Sequence, residues 1–192
     1  MTDHGSITLP DYHLYFHKYG TGDLVLLAFH GFGQTHNAFK IFDKHLGTKY
    51  TIYSFDLFFH GKSTWGNDEI VMNEVHIKTI FSKFLNTNRI SKFSTVGYSM
   101  GGKFALSLAK NFSLQIEHVI LIAPDGLYRS VWYKIATELS IVRWLFRGIV
   151  HKPGIFFAAT KLIQFTGIVN KKVVQFGERQ MATAELRGLV YN

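Results

Sequence analysis

Val96-Gly97-Tyr98-Ser99-Met100-Gly101-Gly102 is the stretch that decides how this chain is read. A β-rich run, Phe93-Ser94-Thr95-Val96, leads into it. A helical pattern leads out, with Phe104, Ala105, Leu108, Ala109 and Phe112 recurring on one face. A serine between glycines at a strand-to-helix turn has a mechanical meaning. The backbone at Ser99 must turn sharply in a strained conformation, so nothing bulky fits two residues to either side. Gly97 and Gly101 meet that need. The hydroxyl is then pushed out at the sheet edge, where it can serve as a nucleophile. A turn with a chance serine is the plain alternative.

Working outward, the chain alternates strands and helices. Tyr12 to Tyr19 reads as an early antiparallel strand, closed by the turn Gly20-Thr21-Gly22-Asp23. Leu24-Val25-Leu26-Leu27-Ala28-Phe29 is continuously apolar, as a parallel strand buried on both faces must be. A helix follows, with Phe39, Phe42 and Leu46 on one face, then a strand over Tyr50 to Phe55. Ile77, Ile80, Phe81 and Phe84 mark another amphipathic helix, and Ile116 to Ala123 reads as a sixth strand. This alternation predicts a doubly wound, mostly parallel α/β sheet. From Leu127 onward the pattern is helical: Ile135, Leu139, Val142 and Phe146 share a face before Lys152-Pro153-Gly154.

Two further motifs stand in order with the serine turn. Ala28-Phe29-His30-Gly31-Phe32-Gly33-Gln34 follows the apolar strand, and Asp56-Leu57-Phe58-Phe59-His60-Gly61-Lys62-Ser63 follows the next. Together the three stretches strongly resemble the α/β-hydrolase fold family: a Gly-x-Ser-x-Gly nucleophile elbow, a His-Gly oxyanion loop and an Asp-x-x-Gly-His-Gly-x-Ser loop. Phe59 stands where that last pattern usually has glycine. The resemblance is close over residues 12 to 125. It implies a core over 1–125, with about six strands present and the last two missing, and an incomplete helical lid over 126–192.

What the resemblance implies chemically follows residue by residue. Ser99 is the nucleophile, and the backbone N–H groups of Phe32 and Met100 are the oxyanion donors. His30 braces the oxyanion loop, and His60 is a loop histidine. Asp56 anchors its loop through backbone amides. His30, Gly31 and Tyr98, with Trp132 and Trp144 of the lid, line the substrate site. The family order is Ser, acid, His, and after Ser99 only His118 and His151 remain. His118 falls at the wrong end of its strand and His151 lies in the lid beside a Pro-Gly break, so the triad histidine is expected to be absent from this chain, with His151 the residual base candidate. Asp125, in Pro124-Asp125-Gly126, reads first as a turn or cap aspartate and is the one acid candidate at that strand end. Gly61-Lys62-Ser63 mimics the tail of a phosphate-binding loop, but Asp56 occupies the place of its first glycine.

Composition bounds the rest. With 192 residues the chain can bury roughly 70% of its unfolded surface. Aromatic residues make up 16%, 18 of them Phe, which favours a large apolar core or an apolar cavity. There is no cysteine, and the N-terminus has neither a basic nor an apolar leader region, so a cytoplasmic location is expected. Residues 1–125 hold 11 Lys and Arg against 10 Asp and Glu, a net of +1; residues 126–192 hold 10 against 3, a net of +7. The basic third suits an anionic membrane surface, an acidic partner, or a lid whose continuation supplies acids. No nucleic-acid motif occurs, and nothing implies a metal or organic cofactor.

The expectation is therefore a serine hydrolase, esterase- or lipase-like, acting on an ester, amide or thioester with an apolar acyl part. A serine nucleophile sets it apart from the dehalogenase and epoxide hydrolase branches, which use aspartate there. The competing reading is a catalytically incomplete fragment that binds a small ligand or a protein. In either case His118-Val119-Ile120-Leu121-Ile122 would form an exposed apolar edge. Such an edge predicts self-association or pairing with a missing C-terminal part.

Overall fold

Two parallel strands, β3 (Leu24–Phe29) and β6 (Phe93–Tyr98), lie side by side at the centre of a mixed sheet, with Ala28 opposite Val96 and Phe29 opposite Gly97. The structure is a computed structural model that describes residues 3–10, 12–66 and 72–124, all within the unit Met1–Leu127. Five further strands complete the described sheet: β1 (His4–Leu9), β2 (Tyr12–Tyr19), β4 (Tyr50–Phe55), β5 (Thr64–Trp65) and β7 (Ile116–Ile122). The order is β1-β2-β4-β3-β6-β7, with β5 beside β2. β4, β3, β6 and β7 run parallel, and β1, β2 and β5 pair antiparallel. The expected strands are present, and β1 and β5 add to the expected set.

Each face of the sheet is covered because the central strands are apolar on both sides. One face carries Leu27, Phe29, Phe55 and Phe93 against helices α2 (Glu74–Thr87) and α3 (Gly101–Asn111). There the rings interlock: Phe29 stacks on Phe55 at 5.3 Å and meets Phe81 edge-on at 5.5 Å, while Phe84 meets Phe55 edge-on at 5.1 Å. Truncating one such ring to alanine costs about 3–5 kcal/mol. The other face carries Leu26, Ala28, Ile52 and Val96 against Phe39 of a 3₁₀ turn (His36–Phe39) and Phe42 and Leu46 of α1 (Ile41–Leu46). The abundant phenylalanine of the described residues therefore fills a core. Its last layer, Phe29 and Phe55, lies directly beneath the loops that leave the carboxyl ends of β3 and β4.

β7 ends the sheet among the described residues, and its only described partner is β6. Val119, Ile120 and Ile122 are exposed on it. No described helix is long and apolar enough to cross a membrane. The lid expected over 126–192 lies outside the described residues, as do Asp125, Trp132, Trp144 and His151.

Candidate active site

Ser99 stands between β6 and α3 with φ +50, in the left-handed region that a side chain disfavours. The turn is pinned from two sides. The Ser99 N–H donates to the Ile122 carbonyl of β7 at 3.0 Å, and the Gly102 N–H donates to the Ser99 carbonyl at 2.9 Å. The flanking glycines are required by space. A Cβ on Gly97 would lie 2.5 Å from the Gly101 oxygen, and one on Gly101 only 2.1 Å from the Phe29 oxygen. No side chain larger than hydrogen fits there, so α3 starts against the end of β3. Ser99 and Met100 are half-buried, and Tyr98 is exposed.

The loop after β3 is built around a fully buried histidine. The Nδ1–H of His30 donates to the Gly31 carbonyl at 2.7 Å, and its Nε2 accepts the Leu57 N–H at 2.9 Å. Those two bonds require the neutral ring with its proton on Nδ1. Burial pushes the His30 pKa down to about 4, against which the Gly31 carbonyl acts weakly. The His30 side chain thus ties the loop after β3 to the loop after β4. His60 has the same tautomer for the same reason: its Nδ1–H donates to the Phe58 carbonyl, and its Nε2 accepts the Gly33 N–H, both at 3.0 Å. Burial lowers its pKa as well.

Three amides of the loop are committed to described acceptors. The Gly31 N–H donates to Gln34 Oε1 at 2.9 Å, the Gly33 N–H to His60, and the Gln34 N–H to the Gly31 carbonyl at 3.3 Å. The Phe32 N–H makes no bond to a described residue, and neither does the Met100 N–H at the start of α3. The Tyr98 ring joins the two turns: a Cβ on Gly31 would be 2.9 Å from it.

Asp56 organises the third loop from a fully buried position. Oδ1 accepts the His36 N–H at 2.7 Å and faces His36 Nδ1 at 2.9 Å, while Oδ2 accepts the Lys62 N–H at 2.9 Å. Ser63 closes the loop, accepting the Tyr15 N–H at 2.8 Å and donating to the Asp56 carbonyl at 2.6 Å. Gly61, at φ +56, lies so close that a Cβ would be 2.0 Å from Asp56 Oδ2. Sequence reasoning missed His36. Its signal, a histidine six residues after His30, has no pattern of its own.

The structure therefore brings His30, Gly31, Phe32, Tyr98, Ser99 and Met100 to the carboxyl end of the sheet. His118 is elsewhere, exposed on β7. A family model described as the alpha/beta hydrolase fold matches residues 25–168. The chain belongs to the α/β-hydrolase family. A curated protein of Mycoplasma genitalium named "Putative esterase/lipase 2" is 28% identical over 102 residues, covering 52% of this chain and 37% of that protein. The chain thus aligns with little more than a third of that relative's length. Among solved structures, a "putative epoxide hydrolase" from Pseudomonas aeruginosa superposes with a TM-score of 0.63 at 17% identity, over 98% of this chain and 67% of that one. A carboxylesterase from Bacillus subtilis superposes with a TM-score of 0.60 at 14% identity, over 72% and 50%. At such identities the likeness is one of fold.

Proposed function

We propose that this chain carries the nucleophile and oxyanion half of a serine hydrolase acting on carboxylic esters, or on related amides or thioesters, with an apolar acyl part. The observation that carries the reading is Ser99 held at φ +50 between two glycines that no side chain can replace. Its hydroxyl attacks the carbonyl carbon and gives its proton to a base. The oxygen that becomes negative accepts from the Phe32 and Met100 N–H groups, which have no described acceptor of their own. Collapse expels the alkoxide, which takes the proton, and water then releases the acyl group from Ser99.

Neither His30 nor His60 suits the role of base, because both ring nitrogens of each are already bonded. Within this chain the candidates for base and acid are His151 and Asp125, both outside the described residues. The substrate lies against Gly31 and Tyr98; Trp132 and Trp144, the other pocket residues expected from the sequence, lie outside the described residues. Fold likeness to an epoxide hydrolase does not carry that activity here, since a serine stands at the elbow. The engagement of both described loop histidines favours one competing reading, a binding module without turnover.

Covalent labelling separates the two. A fluorophosphonate should add to Ser99 with one-to-one stoichiometry, located by peptide mass spectrometry, and Ser99→Ala should abolish the adduct. A chain that stays unlabelled, or that labels equally after the substitution, removes the hydrolase reading.

A further inference from the structure

At the amino ends of the parallel strands, away from Ser99, a cleft of about 310 Å³ lies beside the last turn of α2. Leu24 and Val25 of β3 and Thr51 and Tyr53 of β4 line it from the sheet, and the connection from α2 to β6, Asn88 to Lys92, lines it from the helix side. Tyr53 is the residue that points to a ligand. It is only 9% exposed, with its ring edge-on to Phe16 at 5.5 Å and to Phe84 at 5.1 Å. Its hydroxyl makes no hydrogen bond to a described residue. The hydroxyl is not walled in either, since Ser94 Oγ is the one enclosed side-chain polar atom without a partner among the described residues. The phenol therefore opens to the cleft with its donor unused. Burial pushes its pKa up, so it keeps that proton at neutral pH.

Cations stand around it. Lys18 of β2 lies directly opposite Tyr53 in the antiparallel register, so the two side chains share a face with Cβ atoms about 5 Å apart. Arg89 follows the α2 turn that rests on Tyr53 through Phe84, where Asn88 donates to the Phe84 carbonyl at 2.9 Å. Arg89 holds φ +53, which glycine would adopt without strain, and its side chain is exposed. Neither Lys18 nor Arg89 forms an ion pair with a described residue. The Ser91 and Lys92 N–H groups also lack a described acceptor. Of the two acids lining the cleft, Glu117 belongs to β7, three strand spacings or about 14 Å from β4. Lys92, which donates to the Leu114 carbonyl at 2.6 Å, stands just before the strand beside it. Asp23 is exposed in the turn before β3. The Tyr53 end of the cleft thus holds two uncommitted cations and a buried hydroxyl, with Leu24, Val25 and Ile90 as its apolar wall.

We infer that this cleft binds a small organic carboxylate, whose oxygens accept from the Tyr53 hydroxyl, Lys18 and Arg89 while its apolar body lies on Leu24, Val25 and Ile90. The guanidinium offers two parallel donors of the spacing a carboxylate accepts. The volume is at the small end for ligand pockets, which sets the body at one ring or a short chain. The site is separate from the Ser99 turn and stands whether or not the chain is a hydrolase.

Isothermal titration calorimetry on the full chain, with benzoate as the probe, tests the assignment. Benzoate should bind one-to-one, and benzyl alcohol and benzylammonium, which have the ring without the negative charge, should not. Tyr53→Phe keeps the ring contacts and should weaken benzoate about tenfold, the loss of one hydrogen bond to a charged group. Lys18→Gln and Arg89→Gln, neither in a hydrophobic cluster, should each weaken it up to about fivefold. Ser99→Ala should leave it unchanged. Absence of benzoate binding, or equal binding of benzyl alcohol, overturns the inference. So does tighter binding of benzylammonium, which would give the cleft to Asp23 and Glu117. Inorganic phosphate binding more tightly than benzoate rules out the organic ligand. Benzoate affinity that is unchanged in both Lys18→Gln and Arg89→Gln, or that falls in Ser99→Ala, removes the site from this cleft, whatever Tyr53→Phe does to folding.

Discussion

Acid should loosen this fold through His30 before it reaches the surface carboxylates. The ring is fully buried, donates from Nδ1 to the Gly31 carbonyl and accepts the Leu57 N–H at Nε2. Burial penalises the charged ring, so the folded chain keeps it neutral down to a pKa of about 4, against 6.5 when unfolded. The unfolded state thus binds the proton first, and stability falls as pH drops through 6.5, the loss being complete near pH 4. The full shift corresponds to about 3 kcal/mol, of which about 2 kcal/mol is lost between pH 7 and pH 5. With a typical urea slope, that moves the unfolding midpoint by about 1 M. His60, lowered by the same burial, acts in the same direction. Urea titrations from pH 7.5 to 4.5, on the native chain and on His30→Gln, read the effect. The variant should be less stable at neutral pH yet lose less on acidification. Parallel pH profiles for the two chains would refute the assignment of the buried neutral ring.

Other expectations follow from single observations. Gly101→Ala places a Cβ 2.1 Å from the Phe29 oxygen and should cost about 3 kcal/mol, read by urea unfolding; a cost under 1 kcal/mol would mean that α3 does not start where it is described. Arg89 ends α2 at φ +53, with its N–H on the Asn86 carbonyl and the Ile90 N–H on the Leu85 carbonyl, the arrangement that favours glycine. Arg89→Gly should therefore raise stability by about 1 kcal/mol, seen as a higher thermal midpoint. The β7 edge, with Val119, Ile120 and Ile122 exposed, should make the chain associate as its concentration rises, and Ile120→Lys should suppress this in sedimentation velocity. A native chain that is monomeric throughout would refute that reading of the edge.

The parts that were legible in advance are those where one local requirement dictates residue type. Gly97 and Gly101 flank Ser99 because Cβ atoms there would collide with backbone, and that necessity is written as Gly-x-Ser-x-Gly. The continuous apolar run of β3 announces a strand buried on both faces. β1 escaped notice because it lies at an edge: of its six residues only Ile7 is buried, so its pattern carries almost no apolar signal. β5 is two residues long and held by pairing with β2, which no local pattern encodes. The His36–Asp56 contact escaped for a related reason, since the fold alone brings together residues 20 apart. Phe59 was visible as a departure from the glycine of the related pattern, but its left-handed backbone, at φ +64, was not.

The central claim is that Ser99 is the attacking group, and steady-state hydrolysis of p-nitrophenyl butyrate tests it most directly. The native chain should turn the ester over, and Ser99→Ala should lower kcat/KM by about a thousandfold or more. Equal rates in the two chains would contradict the account, leaving Ser99 a strained turn residue on a hydrolase scaffold.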